Sequence, residues 1–452
     1  MRRRFMTLIV MGKMAFVMGA CSEPKQARDT GEIEVPPLLC PEVGPATGEH
    51  VQTRTFVVDT KWRTAQLQVG VDASGNTIVA GSFRGSVDPG NGVLPSAGGY
   101  DVFAAKLDRA GNVLWSKRFG NFNDEMLRGL GVTTSGDVYL AIDSLESFFI
   151  VKLDADGVEG FAHKYIGGEY QYLTAAAVDW EGNLLIAGRY EGRNLNLGLG
   201  PIGAVGNIFL AKIDNAGNTL FAKAITKSVD SIVNDLAAAP DGDILLTGDL
   251  KGAINVDGVA AASDGGTDAL LARFDPHGRA RWMRRFGSHE WDSGLQVAVD
   301  GLGKIWHVGS YEDIVDVGTG PLVIESGSEH LLLELDAAGR HRRHFFAAPH
   351  VEADGAGNVI LAGQFKDVLE PWGAGLTSAG EDDVYLVKLG ANGNETWARS
   401  IGGPTSEMLH DVAVACTGQI AVVGSVVDPS DPNWNDWNHE GPLEVFVSTF
   451  AP

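Results

Sequence analysis

The sequence predicts an all-β protein: a seven-bladed β-propeller of four-stranded blades, its ring closed by an N-terminal strand that completes the last blade. Three observations carry this. One hairpin phrase recurs seven times, a second hairpin phrase follows most copies, and glycine is abundant at 59 of 452 residues without a collagen period. Abundant glycine with short apolar runs implies many tight turns between many short strands.

The first phrase reads VGVDASGNTIVAG near the start, then AAVDWEGNLLIAG and VAVDGLGKIWHVG. Its turn glycines are Gly75, Gly136, Gly182, Gly242, Gly303, Gly357 and Gly418, spaced 46 to 61 residues apart. Repeats of this period with two hairpins each indicate propeller blades. A glycine closes the second apolar run at Gly81, Gly188, Gly248, Gly309, Gly363 and Gly424, and Ile142 replaces it in the second copy.

The second phrase, DVFAAKLDRAGNVLWSKRFG, turns at Gly111 and is echoed at Gly157, Gly217, Gly278, Gly339 and Gly393. Four residues beyond these stand Trp115, Phe161, Phe221, Trp282, Arg343 and Trp397. An aromatic at one place in five of six units suits packing between neighbouring units. The D-x-x-G-N motif is turn chemistry: Asp accepts from the backbone ahead and Gly supplies a positive φ.

The first strands (LQVGVD, LGVT, AAAVD, LAAA, QVAVD, AVA) alternate small and branched residues, as expected where innermost strands crowd around a channel. The seventh copy lacks a fourth strand, and VQTRTFVVD (51–59) is an orphan that supplies it. Completing that blade removes an open sheet edge.

The N-terminus reads MRRRFMTLIVMGKMAFVMGAC, a basic start, an apolar stretch and small residues before a cysteine, the layout of a secretory leader. Met18-Gly19-Ala20-Cys21 resembles a lipobox. The expected organisation is a lipoprotein signal peptide over 1–20, a lipidated Cys21 with a Pro-rich tether over 21–50, and the propeller over 51–452. Net charge is −23, and the leader is basic, so the remainder is more acidic still. This argues against a nucleic-acid partner, which needs a basic footprint. The membrane would be engaged through the lipid anchor alone, with the protein as a monomer in the bacterial cell envelope, at the outer membrane.

GGYDVFAAKLDRAGNVLWSKRFG, VAVDGLGKIWHVG and LTSAGEDDVYLVKL resemble the bacterial β-propeller repeat (SBBP-type) lipoproteins abundant in myxobacteria. The resemblance covers roughly 51–452. It implies architecture and location and brings no catalytic residues. The second unit departs from the pattern with a short link, IDSLESFF, so its rim should differ.

Catalytic signatures are sparse. S-x-D-x-G-x-T-W boxes, vicinal cysteines, a nucleophile elbow on a strand–helix turn and H-E-x-x-H are all missing from the sequence. His341 and His344 are three apart, which on a regular strand puts them on opposite faces. Acids recur near the joins between units: Asp124 and Glu125, Asp230 and Asp235, Glu290 and Asp292, Glu407 and Asp411. They could cap the backbone between blades or form a rim for cations or polyols. Asp154-Ala155-Asp156-Gly157 is a fragment of a calcium loop without its distal Glu, so turn chemistry is the stronger reading and calcium the one candidate cofactor.

Long links expected on one face include VVDPSDPNWNDWNHEGPLE, where Trp434 and Trp437 with Asp431 and Asp436 form a candidate sugar site. A disulfide between Cys40 and Cys416 is expected in an oxidising compartment. The functional expectation is an envelope binding or scaffolding propeller for a protein or glycan. The alternative is an enzyme on the loop face or channel mouth, which carboxylates facing that mouth would favour.

Overall fold

A computed structural model describes residues 47–452 except 61–65, 146, 168–169, 193–194, 204–207, 227–230, 319, 347–348, 371–374 and 428–440. Among the described residues there are strands and no helix. The strands form seven blades of four antiparallel strands, in sequence order from the channel outward in the first six. Blade 1 is Gln68–Val71, Thr77–Phe83, Asp101–Leu107 and Val113–Phe119, and the strands of blades 2 to 6 fall within 125–165, 170–226, 232–286, 293–346 and 350–401.

Blade 7 is Ser406–Val414, Ile420–Val427 and Gly441–Phe450, with His50–Thr60 as its outermost strand. The pairing is antiparallel, Thr55 opposite Phe446 and Val57 opposite Glu444. The N-terminal strand therefore closes the ring, as the sequence predicts.

Second and third strands are mainly apolar because they are buried on both faces, and the polar residues they carry, such as Asp101, Lys106 and Arg273, are buried with partners. Every residue of Thr77–Phe83, Asp101–Leu107 and Asp268–Phe274 is buried. One apolar cluster fills each gap between adjacent blades. Leu140 and Val151 of blade 2 pack with Ile78 and Ala104 of blade 1, and Val58 and Val445 of blade 7 pack with Val79 and Phe103.

The predicted turn chemistry is present. The Asn76 N–H donates to Asp72 Oδ1 (2.9 Å), and Gly75 has φ of +78°. Asp154 Oδ1 likewise accepts from the Val158 N–H at 2.8 Å. The predicted aromatics lock adjoining blades. Trp115 of blade 1 lies against Gly157 of blade 2 and donates Nε1–H to Ala155 O (3.2 Å), and Trp282 does the same with Ala337 O (3.2 Å). Where blade 5 carries Arg343, its Nη1 donates instead to Asn392 O (2.5 Å).

A buried ion pair sits beneath several turns. Lys106 Nζ lies 3.0 Å from Asp72 and also donates to Ala155 O of blade 2 (3.1 Å). Lys212–Asp179 (2.6 Å) and Lys388–Asp354 (3.4 Å) repeat the arrangement.

Small residues in the innermost strands have the predicted cause. A Cβ on Gly129 would collide with Ala176 of the next blade, and one on Gly131 with Val178. The glycines closing the second run face a bulge. The innermost strand bulges between Leu173 and Ala175, and between Val233 and Asp235, opposite Gly188 and Gly248. A Cβ there would strike the Tyr172 and Ile232 carbonyl oxygens.

The links between second and third strands differ from expectation. Those of blades 1, 4 and 5 fold against the outer strand of the preceding blade, where they bury apolar side chains. Val87 pairs with Val58 of blade 7, Ile254 and Val256 join the cluster containing Ile225 of blade 3, and Val315 and Val317 join that of Phe286 of blade 4. Short hairpins with apolar tips gain more by covering a neighbour's sheet than by standing in solvent. Blade 2 carries only a tight link, with Ser144 opposite Ser147, and the rim beside it leaves Phe122 and Leu145 exposed. Its predicted departure is thus observed.

A second correction concerns His341 and His344. A bulge at Arg342 sets Leu335 opposite His341 and Glu334 opposite Arg343. The extra residue restores both histidines to one face, where their rings stack at 5.4 Å.

Candidate functional site at the channel mouth

All seven innermost strands run the same way, from the face that carries the connectors between blades to the face of the D-x-x-G turns. They enclose a channel of about 460 Å³ that opens on the connector face into a mouth of about 640 Å³. The mouth is ringed by Gln68, Arg128, Thr174, Asn234, Gln296, His350 and His410, one from each blade. In most blades the bulge supplies this residue: Arg128, Thr174, Asn234 and His410 are each the extra residue of an innermost strand. A bulge re-aims one side chain out of the alternation.

These side chains are held in place by partners. Arg128 Nε donates to Asp143 Oδ2 (2.7 Å), whose Oδ1 accepts from the Leu173 N–H (2.9 Å). Burial pushes the Asp143 carboxyl up to about 6 despite these bonds and the Arg128 charge. Asn234 Nδ2 donates to Asp249 Oδ1 (3.1 Å) and Gly294 O (2.8 Å). Gln296 Oε1 accepts from the Val351 N–H (2.9 Å), and its amide nitrogen lies 3.4 Å from His350 Nδ1. His410 Nε2 lies 2.8 Å from Ser425 Oγ. Burial lowers His350 and His410 to about 4, aided by His330 in the first case and by His350 in the second, so both imidazoles are neutral at pH 7.

Below the ring lie Asp235, Glu352 and Asp411, all lining the channel. Sequence reading places Asp235 and Asp411 in the joins between blades; they sit inside innermost strands, Ile232–Ala238 and Ser406–Val414. Their capping role stands. Asp235 accepts from the Leu236 N–H (2.8 Å) and from Val297 of the next blade (3.0 Å). Asp411 accepts from Val412 (2.9 Å) and, across the closure seam, from Val69 (2.9 Å). Burial pushes both carboxyls up to about 7. Glu352 is raised well above its ordinary value by burial and then by Asp411 and Asp235.

Other acids from the sequence reading also serve the backbone. Asp124 accepts from Tyr100 N–H (2.8 Å), Glu125 from Asn121 (2.8 Å), Asp292 from Ser288 (2.6 Å) and Glu407 from Gly403 (3.0 Å). Among the described residues no group of three or more His, Cys, Asp or Glu is disposed to hold a metal ion. Cys416 lines the turn-face end of the channel and is partly exposed. Cys21, Cys40, Asp230, Asp431, Trp434, Asp436 and Trp437 lie outside the described residues.

The mouth residues Arg128, His350 and His410, and Glu352 in the channel below them, were missed in the sequence. Their signal is a polar residue one or two places before the small-and-branched run, visible only when the repeats are aligned further upstream.

No family model matches the chain. It is 22% identical over 371 residues, 75% of its length, to an uncharacterized WD repeat-containing protein of Acanthamoeba polyphaga mimivirus. The match spans only 22% of that viral protein. Among solved structures, puromycin hydrolase superposes at TM-score 0.45 and 12% identity over 82% of this chain and 51% of that one. A calcium-binding regucalcin from Agrobacterium tumefaciens does so at 0.35 and 12%, over 72% and 91%. The seven four-stranded blades themselves define the class, that of β-propeller repeat proteins.

Proposed function

We propose that this propeller is a lipid-anchored binding protein of the bacterial cell envelope, and that its ligand is a glycan seated in the channel mouth. The observation that supports this is the ring of Gln68, Asn234, Gln296, His350 and His410 around a recess of about 640 Å³. Amides and neutral imidazoles offer donors and acceptors together, as sugar hydroxyls require. Tyr172 and Ile232 supply apolar surface between them. A recess this size takes one or two sugar rings, whereas a protein partner needs a far wider surface. The sugar-facing role of Trp434, Trp437, Asp431 and Asp436 belongs to the same proposal, as a second contact on the same ligand. The anchor on Cys21 rests on the leader alone. Screening the protein against an array of bacterial envelope glycans tests the reading: a hit that His410→Ala weakens supports it, and an array without hits contradicts it.

Carboxylates at the mouth favour a second reading, hydrolysis. Asp235 and Asp411 have both oxygens engaged by backbone N–H groups, whereas Glu352 has a single such partner, the Ala353 N–H, and so keeps more of its carboxyl open for chemistry. With its raised pKa it would be a general acid beside neutral imidazoles. Cleavage of a bound glycan that stops in Glu352→Gln while binding persists would establish this reading.

A further inference from the structure

An arginine-lined pocket lies on the outer wall, far from the channel in the order of strands. Its walls are the outermost strand of blade 4, Ala280–Phe286, and the turn and outermost strand of blade 5. It has a volume of about 470 Å³ and is lined by Arg284, Arg285, Arg340, His341 and Arg342, with Phe286 and Val317 as its apolar surface. No acid lines it. In a chain of net charge −23 this concentration of guanidinium groups is out of character.

The charges do not cancel. Arg340 Nε and Arg342 Nη2 share one oxygen of Asp336, at 2.8 and 2.9 Å. Arg285 Nη1 pairs with the buried Asp268 at 3.0 Å. Arg284 has no carboxylate partner among the described residues; it lies over the Trp282 ring at 5.5 Å and donates Nη2–H to Ala338 O (3.1 Å). Four guanidinium groups against two carboxylates leave two positive charges. Arg340 and Arg342 keep more than half of their side chains in solvent, so their remaining N–H donors are open. Arg284 is fixed by the indole and the carbonyl, and so is already oriented before any ligand arrives.

We infer that this pocket binds a phosphate group. A phosphate monoester carries close to two negative charges at neutral pH and three acceptor oxygens, which match two uncompensated charges and several guanidinium forks. Lipid headgroups and soluble phosphates share this chemistry. The inference is independent of the channel mouth and of its ligand.

Calorimetric titration of the full chain with inorganic phosphate at low salt tests it. Saturable binding is expected. It should weaken at least tenfold in the Arg284→Gln/Arg342→Gln double variant and fall steeply with added salt. The melting temperature of each variant reports folding; should the double variant unfold, Arg342→Gln alone, at an exposed position, must weaken binding. Co-sedimentation with phosphatidylcholine vesicles containing phosphatidic acid distinguishes the sources. Vesicle binding lost in the variant assigns the phosphate to a lipid headgroup, and phosphate binding without vesicle binding assigns it to a soluble ligand; both support the site. Absence of saturable binding to either probe, or equal binding by the folded variant, overturns it.

Discussion

Gly48 lies directly against the indole of Trp397: a Cβ at Gly48 would come within 2.5 Å of that ring. At the same place in other blades Trp115, Phe161, Phe221 and Trp282 each meet a D-x-x-G turn glycine of the next blade. At blade 7 the adjoining strands come from residues far apart in the sequence. Gly48, with φ of +57°, takes the turn glycine's place, bracketed by Gly48 N–H to Pro452 O (3.2 Å) and Ala451 N–H to Glu49 O (2.8 Å). Gly48→Val should therefore destabilise by roughly 2 kcal/mol, through positive φ and overpacking together. Gly92→Val is the control: its φ is also positive, but no atom lies within 4 Å of the new Cβ. Urea denaturation should show the larger loss at Gly48.

Lys106→Met should cost about 3–5 kcal/mol, the usual penalty for removing one partner of a buried pair. It would leave Asp72 buried and uncompensated and remove the bond to Ala155 of blade 2. Thermal unfolding of Lys106→Met and of Lys106→Met/Asp72→Asn should show the second change recovering part of the loss.

The channel groups make opposed contributions to the pH dependence of stability. Asp235 and Asp411 have folded pKa values raised to about 7, so the folded state holds their protons more tightly than the unfolded chain. Their contribution is fully present below about pH 4 and is lost as pH rises through about 7. His350 and His410 are lowered to about 4, so theirs is present above about 6.5 and lost as pH falls through about 4. Asp235→Asn should flatten the decline from pH 4 to 7, and His410→Gln should flatten the decline on acidification. Urea midpoints across pH 4–8 measure both slopes, and unchanged slopes would remove these groups from the account.

Much of the fold was legible because blade packing depends on local chemistry that repeats. Turn Asp and Gly, the aromatic beyond the second turn and small innermost residues each have a cause visible at one position. The orphan strand could be placed because an open ring needs its fourth strand. The channel mouth was hidden because Arg128, Thr174, Asn234 and His410 are bulge residues, and a bulge cannot be read from period-two alternation. The same blindness misplaced His341 and His344. The links misled for another reason. Val87, Ile254 and Val317 look like loop residues until a neighbouring blade's sheet is there to cover.

The disulfide between Cys40 and Cys416 remains a prediction of the sequence. It would pin the segment before blade 7's outer strand to the turn face, where Cys416 lies in the first-hairpin turn of that same blade. Thiol labelling of denatured, unreduced protein should find neither cysteine reactive. Two reactive thiols would dispose of the bridge.

Glycan binding at the channel mouth is the central claim, and a mouth-filling substitution tests it most directly. Thr174 rings the mouth from blade 3, and among the described residues its hydroxyl makes only a long bond to Ala187 O (3.5 Å). Thr174→Trp should occupy the recess while leaving blade packing intact. Affinity for the envelope glycan found by array, measured by calorimetry, should fall at least tenfold with the melting temperature unchanged. Full affinity in folded Thr174→Trp, with binding lost instead in Trp434→Ala/Trp437→Ala, would contradict the channel mouth as the binding site.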